Sequence, residues 1–229
     1  MGIITTLGEK LHIPSLEKLG RDFDIKKQIR LYNTRQKELE EYWKENPNPS
    51  NVEAPHTLKQ KTILEIKSKY NTQVLIETGT YLGKMMESMQ PHFKNLYSIE
   101  ISQYLNHRAK KLFGKHTNLN FVLGDSGAMM KSVIDQLNEP ILFWLDGHYS
   151  GGITGMSDVE TPIAAELKAI FSHPLAEKHV ILIDDARMFN GTRDYPSIDE
   201  LKEFIKSQRP DFSYFEILND IVILKSDNL

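Results

Sequence analysis

Gln73-Val-Leu-Ile-Glu-Thr-Gly-Thr-Tyr-Leu-Gly83 runs directly into Lys84-Met-Met-Glu-Ser-Met89. The apolar run Val74-Leu75-Ile76 predicts a buried strand that closes on Glu77. Gly79 and Gly83 then predict a tight turn into a helix over 84–89, a surface where backbone can approach a ligand closely. The carboxylate at the strand tip narrows the ligand. It repels a pyrophosphate but suits an amino group or a sugar hydroxyl. The glycines also lack the tighter Gly-x-Gly-x-x-Gly spacing, which argues against nicotinamide hydride transfer.

Downstream, strand-like and helix-like runs alternate. Leu96 to Ile101, Leu119 to Leu123, Ile141 to Leu145 and Val180 to Ile183 read as strands. Helices are expected over Gln103–Phe113, Ala128–Leu137, Thr161–Phe171 and Ser197–Gln208, the last opened by a serine cap. This rhythm predicts a parallel sheet covered on both faces, and near-continuous apolar strands such as Ile141-Leu-Phe-Trp-Leu145 agree. The tail differs. Phe212–Leu218 and Ile221–Lys225 are joined only by Asn219-Asp220, a hairpin signal. The expected fold is α/β: a Rossmann-like, seven-stranded, mostly parallel sheet ending in an antiparallel hairpin, preceded by an N-terminal helical segment.

That segment, residues 1–71, differs in composition from residues 72–229. Ile25 to Lys44 is dense in Lys, Arg, Gln and Glu and reads as a largely exposed helix, stopped by Asn46-Pro-Asn-Pro-Ser50. A second helix is expected over Thr57–Tyr70, with Ile63, Ile66 and Tyr70 on one face. The segment reads equally as a brace for the core or as a cap that selects substrate.

Composition excludes several classes. The 229-residue chain is 40% hydrophobic and 26% charged, with net charge −3, so nothing points to nucleic acid or an anionic membrane as partner. It has no cysteine, which removes disulfides, thiolate metal sites and cysteine nucleophiles together. No apolar run reaches the length of a membrane span, and no basic region precedes an apolar core at the N-terminus. A soluble, cytoplasmic protein is expected, with homo-oligomerisation left open.

Ligands of open α/β sheets sit outside the carboxyl ends of the strands. Here those ends carry Glu77, Glu100, Asp125, Asp146 and the pair Asp184-Asp185. Any one of these acids alone is well explained as a turn or capping carboxylate. A whole rim of them suits a ligand rich in hydroxyls and amines, or a divalent cation. Glu100 stands about twenty residues beyond the glycine turn, the place of an acid that binds ribose. Asp184 and Asp185 would repel one another when buried unless a positive group, a metal or Arg187, lies near. His148, two residues past Asp146, reads as a general base, a metal ligand or a polar loop histidine. The glycine-rich stretch Ser150–Asp158 after it reads as a loop that closes over substrate or as a plain connection.

Glu77-Thr-Gly-Thr-Tyr-Leu-Gly83, Tyr97-Ser-Ile-Glu100 and Gly124-Asp125-Ser126 resemble the class I S-adenosylmethionine-dependent methyltransferases, over roughly Gln73 to Leu229. The resemblance implies cofactor contacts at Glu77, Thr78, Gly79, Tyr81, Gly83, Glu100, Ile101, Asp125, Ser126 and Asp146. Glu77 would lie near the amino group, Glu100 on ribose, and Asp125 with Ser126 on adenine. Asp146-Gly-His148 and Asp184-Asp185 resemble the branch of metal-dependent O-methyltransferases acting on sugars of macrolide and aminocoumarin antibiotics. That branch has Asp-Gly-Asp where this chain has Asp-Gly-His. The resemblance implies Mg²⁺ on Asp146, Asp184 and Asp185, His148 as general base, and a small-molecule or glycan acceptor. Two rival readings remain: metal-independent small-molecule methylation, and a non-catalytic cofactor-binding partner protein.

Overall fold

The computed structural model describes residues 14–47, 49, 51–147, 161–192 and 194–229. Seven strands among them, β1 (Val74–Thr78), β2 (Asn95–Glu100), β3 (Leu119–Leu123), β4 (Ile141–Leu145), β5 (Val180–Ile183), β6 (Tyr214–Leu218) and β7 (Ile221–Lys225), form one sheet. Their order is β3-β2-β1-β4-β5-β7-β6. Strands β1 to β5 pair in parallel, and β7 runs antiparallel to both β5 and β6. This is the mostly parallel Rossmann-like sheet with a terminal hairpin that the sequence predicts. Asn219 and Asp220 join β6 to β7 with φ of 54° and 62°, the paired positive angles of a turn whose twist matches a hairpin.

Successive residues of the central strands point to opposite faces, and both faces are covered. Val74, Ile76, Ile141, Phe143 and Leu145 pack in one core cluster, whereas Leu75, Leu142 and Trp144 pack in another. The first cluster is closed by α5 (Ser126–Ile134), α6 (Ile163–Phe171) and α7 (Ile198–Gln208). The second is closed by α2 (His56–Tyr70), through Ile63, and by α3 (Lys84–Met89), through Met85, Met86 and Met89. Full burial of side chains this size contributes about 1.5–3 kcal/mol each.

Helix α1 (Pro14–Glu45) is longer than the expected Ile25–Lys44 but ends at the same Asn46-Pro47 stop. Its few apolar residues are used. Ile25, Ile29 and Tyr32 pack on Leu82 and on Leu105 of α4 (Gln103–Phe113). Helix α5 starts two residues before the expected Ala128 because Asp125 caps it, accepting the Ala128 N–H at 3.0 Å. Ser197 opens α7 through a capping box with Glu200. Among the described residues no helix is long and apolar enough to cross a membrane.

Candidate functional site

From β1 the chain builds outward through β2 and β3, then returns to place β4 and β5 on β1's other side. The reversal opens a crevice at the carboxyl ends of β1 and β4, where the two adjoining loops depart in opposite directions. A cavity of about 380 Å³ lies there. Glu77, Gly79, Tyr81, Glu100, Ile101, Asp125, Ser126, Asp146, Asp184 and Asp185 all line it. The rim of acids read from the sequence is therefore one surface.

The turn after β1 is shaped by close approach. Gly79 has φ +83°, and a Cβ there would lie 2.5 Å from the Asp146 carbonyl oxygen. Tyr81 also takes a positive φ, 46°, and its N–H donates to Glu100 Oε2 at 3.0 Å. Ser102 N–H donates to the other oxygen of Glu100 at 2.8 Å. Two backbone donors thus fix the Glu100 carboxyl, while burial pushes its pKa up. Glu77 is fully buried and is driven further up by burial, against a 2.5 Å hydrogen bond from Ser98 Oγ. Thr78 and Gly83 stand one layer back. Thr78 Oγ1 accepts the Asp146 N–H at 3.2 Å, and Gly83, at φ +75°, heads α3 against the Phe113 ring.

Asp125 has two uses. Its Oδ1 caps α5, and the residue still faces the cavity beside Ser126. Behind Ser126 sits Glu166 of α6, fully buried, whose Oε1 has no hydrogen-bond partner among the described residues. Burial pushes Glu166 up to about 7, against hydrogen bonds from Ser126 and Thr78.

At the ends of β4 and β5, carboxylate oxygens of Asp146, Asp184 and Asp185 lie within 4.8 Å of one another. Asp185 adopts φ +56°, a left-handed conformation that costs a non-glycine residue energy and turns the chain sharply after β5. The crowded charge is met from two sides. Lys59 Nζ, from α2, lies 2.6 Å from Asp184 Oδ2 and 3.3 Å from Asp185 Oδ1. Arg187 Nη1 lies 2.7 Å from Asp185 Oδ1 and also contacts Asp220 at the hairpin turn. Burial works to lower the Lys59 pKa, but Asp184 and Asp185, with Asp146 and Glu53 behind them, outweigh it and the net shift is upward. Asp184 is driven upward by burial, against the pull of Lys59.

The N-terminal helices and the connection between them also line the cavity, through Tyr32 and Gln36 of α1, Glu53 of the connection, and His56 and Lys59 of α2. None of these five was singled out from the sequence. Lys59 had a legible signal: it lies four residues before Ile63, on the face that carries Ile63, Ile66 and Tyr70. A lysine on an apolar helix face needs a buried partner. His148 and the stretch Ser150–Asp158 lie outside the described residues.

Chemically, the cavity offers acids at the ends of neighbouring strands, a backbone turn open to close approach, and a compact cluster of hard oxygen donors beside a buried ammonium. No protein-family model matches the sequence, and no curated protein matches it. Solved structures do match. A Podospora anserina methyltransferase, PaMTH1, with S-adenosylhomocysteine bound, aligns at TM-score 0.53 and 14% identity over 84% of this chain and 87% of its own. TomG of Streptomyces achromogenes, an O-methyltransferase of tomaymycin synthesis solved with S-adenosylmethionine, aligns at 0.51 and 13% over 82% and 87%. A Bacillus cereus O-methyltransferase with S-adenosylhomocysteine aligns at 0.50 and 14% over 83% and 89%. The fold of this chain is that of the S-adenosylmethionine-dependent methyltransferases.

Proposed function

We propose that this chain is an S-adenosylmethionine-dependent O-methyltransferase, acting in the cytoplasm on a hydroxyl of a sugar or polyol-type natural product or glycan. The observation that carries the reading is the cavity at the switch point, lined by acids from β1 and β2, the loops after β4 and β5, and the cap of α5. Glu77, Gly79, Tyr81, Glu100, Ile101, Asp125, Ser126 and Asp146 would hold the cofactor, with Thr78 and Gly83 bracing the turn beneath it. Bound there, it supplies a methyl group on an electron-poor sulfonium. Glu77 suits the amino group, the backbone-fixed Glu100 suits ribose hydroxyls, and Asp125 with Ser126 suits the adenine edge.

Asp146, Asp184 and Asp185 would hold Mg²⁺. Hard oxygens within 4.8 Å of one another fit a small dication, whose charge would favour loss of a proton from an acceptor hydroxyl. His148 is assigned the general-base role on its sequence position beside Asp146. A second reading, metal-independent methylation, is favoured by one observation: Lys59 already supplies a buried positive charge to Asp184 and Asp185.

The test is calorimetric titration with S-adenosylhomocysteine and with NAD, each with Mg²⁺ or with chelator, followed by methyl-transfer assays. The expected result is binding of S-adenosylhomocysteine alone, with turnover lost on chelation. Binding of NAD instead would overturn the reading, and turnover unaffected by chelator would select the metal-independent form.

A further inference from the structure

The chain itself supplies a cation to the aspartate cluster. Lys59 Nζ donates to Asp184 Oδ2 at 2.6 Å and to Asp185 Oδ1 at 3.3 Å. The other oxygen of Asp184, Oδ1, accepts the Asp185 N–H at 2.8 Å, so both oxygens of that carboxylate are engaged. Asp185 Oδ1 also accepts from Arg187 Nη1 at 2.7 Å. A divalent ion bound through Asp184 would have to share Oδ2 with the Lys59 ammonium or Oδ1 with the amide that shapes the turn after β5.

Sharing Oδ2 is unfavourable. Mg²⁺ bonds oxygen at about 2.0–2.1 Å, so on that atom the two cations would lie no more than about 5 Å apart whatever the angle. In a site this buried, water and salt screen their repulsion weakly. Of the two side chains on the cluster, Arg187 is the more firmly tied. Its guanidinium also pairs with Asp220, and its backbone N–H donates to the same carboxylate at 2.9 Å. Lys59 is a point charge on a flexible four-carbon stem, and a second carboxylate stands close to it. Glu53 Oε1 lies 3.9 Å from Nζ, beyond hydrogen-bond length but near enough to take the ammonium after a short swing of the stem. Glu53 lines the same cavity and is held in place. Its carbonyl accepts Trp43 Nε1 at 2.9 Å, and its Oε2 lies 4.0 Å from Arg35 Nε.

We propose that Lys59 is a tethered cation that competes with Mg²⁺ for Asp184 and Asp185, and that metal entry moves its ammonium onto Glu53; this rests on the metal-dependent reading of the same site. Lys59 and Glu53 together set the metal affinity, and neither is a metal ligand. Without metal, the ammonium neutralises the paired aspartates and keeps them close. With metal, it moves to the connection between α1 and α2 and stays in the cavity lining. The coupling is reciprocal: whatever draws Lys59 towards Glu53 strengthens metal binding, and metal strengthens the pairing of Lys59 with Glu53 by the same factor.

The test is calorimetric titration of chelator-treated protein with MgCl₂, without substrate, so that binding is read apart from activity. The proteins are wild type, Lys59→Met, Lys59→Gln, Glu53→Gln and the double variant Lys59→Met/Glu53→Gln, each checked for folding by circular dichroism. Both Lys59 variants are expected to bind Mg²⁺ about tenfold more tightly than wild type. Glu53→Gln, which removes the second position for the ammonium, is expected to bind it about fivefold more weakly. In the Lys59→Met background the same Glu53 substitution is expected to change nothing, because no ammonium is left to move. Equal affinity in wild type and the Lys59 variants overturns the competition. A Glu53 effect that persists in the double variant overturns the transfer to Glu53. If the Lys59 variants do not fold, Glu53→Gln decides, and an unchanged affinity there overturns the proposal. Folded Lys59 variants that bind S-adenosylhomocysteine but no Mg²⁺ overturn the metal-dependent reading on which it rests.

Discussion

His179 Nε2 donates to His173 Nδ1 at 2.8 Å, deep under the start of β4 and far from the cavity. The tautomers follow from the neighbours. Ile141 N–H donates to His179 Nδ1 at 3.1 Å, so the proton of neutral His179 sits on Nε2. His173 in turn gives its Nε2 proton to the Leu137 carbonyl at 3.1 Å. A second proton on His179 would have to point at the Ile141 N–H.

Acid stability is expected to follow from this relay. Burial, with the neighbouring His173, lowers His179 from 6.5 to about 3. The unfolded chain takes up that proton near pH 6.5 and the folded chain does not, so the stabilisation is full above 6.5 and is lost as pH falls towards 3. The slope is at most about 1.4 kcal/mol per pH unit. Glu166, raised to about 7, acts in the opposite sense over part of the same range. Urea unfolding of wild type and His179→Gln at pH 7 and pH 5 separates the two, and the variant is expected to lose less stability on acidification.

Removing the ammonium is expected to change the response to metal. Lys59→Met leaves Asp184 and Asp185 without one of their buried partners, a loss of about 3–5 kcal/mol for a broken buried pair. Any ligand that binds only the folded state restores stability by mass action. Thermal unfolding should therefore show a lower Tm for the variant in chelator and a larger rise on adding Mg²⁺ than in wild type. Equal metal responses in both proteins would count against the cluster as a cation site.

Glu100→Ala is expected to weaken S-adenosylhomocysteine binding by roughly 10- to 100-fold, the range for a lost charge-assisted hydrogen bond. Part of this would come from the turn, because Tyr81 N–H and Ser102 N–H lose their acceptor together. Isothermal titration gives the affinity, and far-ultraviolet circular dichroism verifies that the sheet persists.

Gly79→Ala is expected to abolish cofactor binding and to cost at least about 2 kcal/mol of stability. The new methyl would collide with the Asp146 carbonyl at a positive φ that alanine resists. Denaturant midpoints, measured beside Gly191→Ala at an open surface turn, give the comparison.

The sheet was legible because its signals are local. Val74 to Ile76 and Ile141 to Leu145 are buried on both faces, so their composition alone announces strands, and Asn219-Asp220 announces its own turn. The acid rim was legible for the same reason, since strand ends in this topology converge. The wall built by α1 and α2 was not, because its meaning lies in pairs such as Lys59 with Asp184, 125 positions apart. Trp144 was read as core, which it is; that its Nε1 is left without a partner depends on three-dimensional neighbours.

The position of β7 has a consequence for biosynthesis. It inserts between β5 and β6 instead of sitting at the sheet margin, and the turn beside it carries Asp220, which braces Arg187, and Asn219, which bonds Thr62 of α2. While the chain is still emerging from the ribosome, β5 has an open edge and Arg187 has no Asp220. A nascent chain that has reached residue 210 thus holds the site residues and Lys59 in sequence but lacks the Asp220 and Asn219 contacts that brace Arg187 and α2. Strand β7 acts as the latch, and until it pairs, the exposed edge of β5 is a place for chaperone engagement or misassembly.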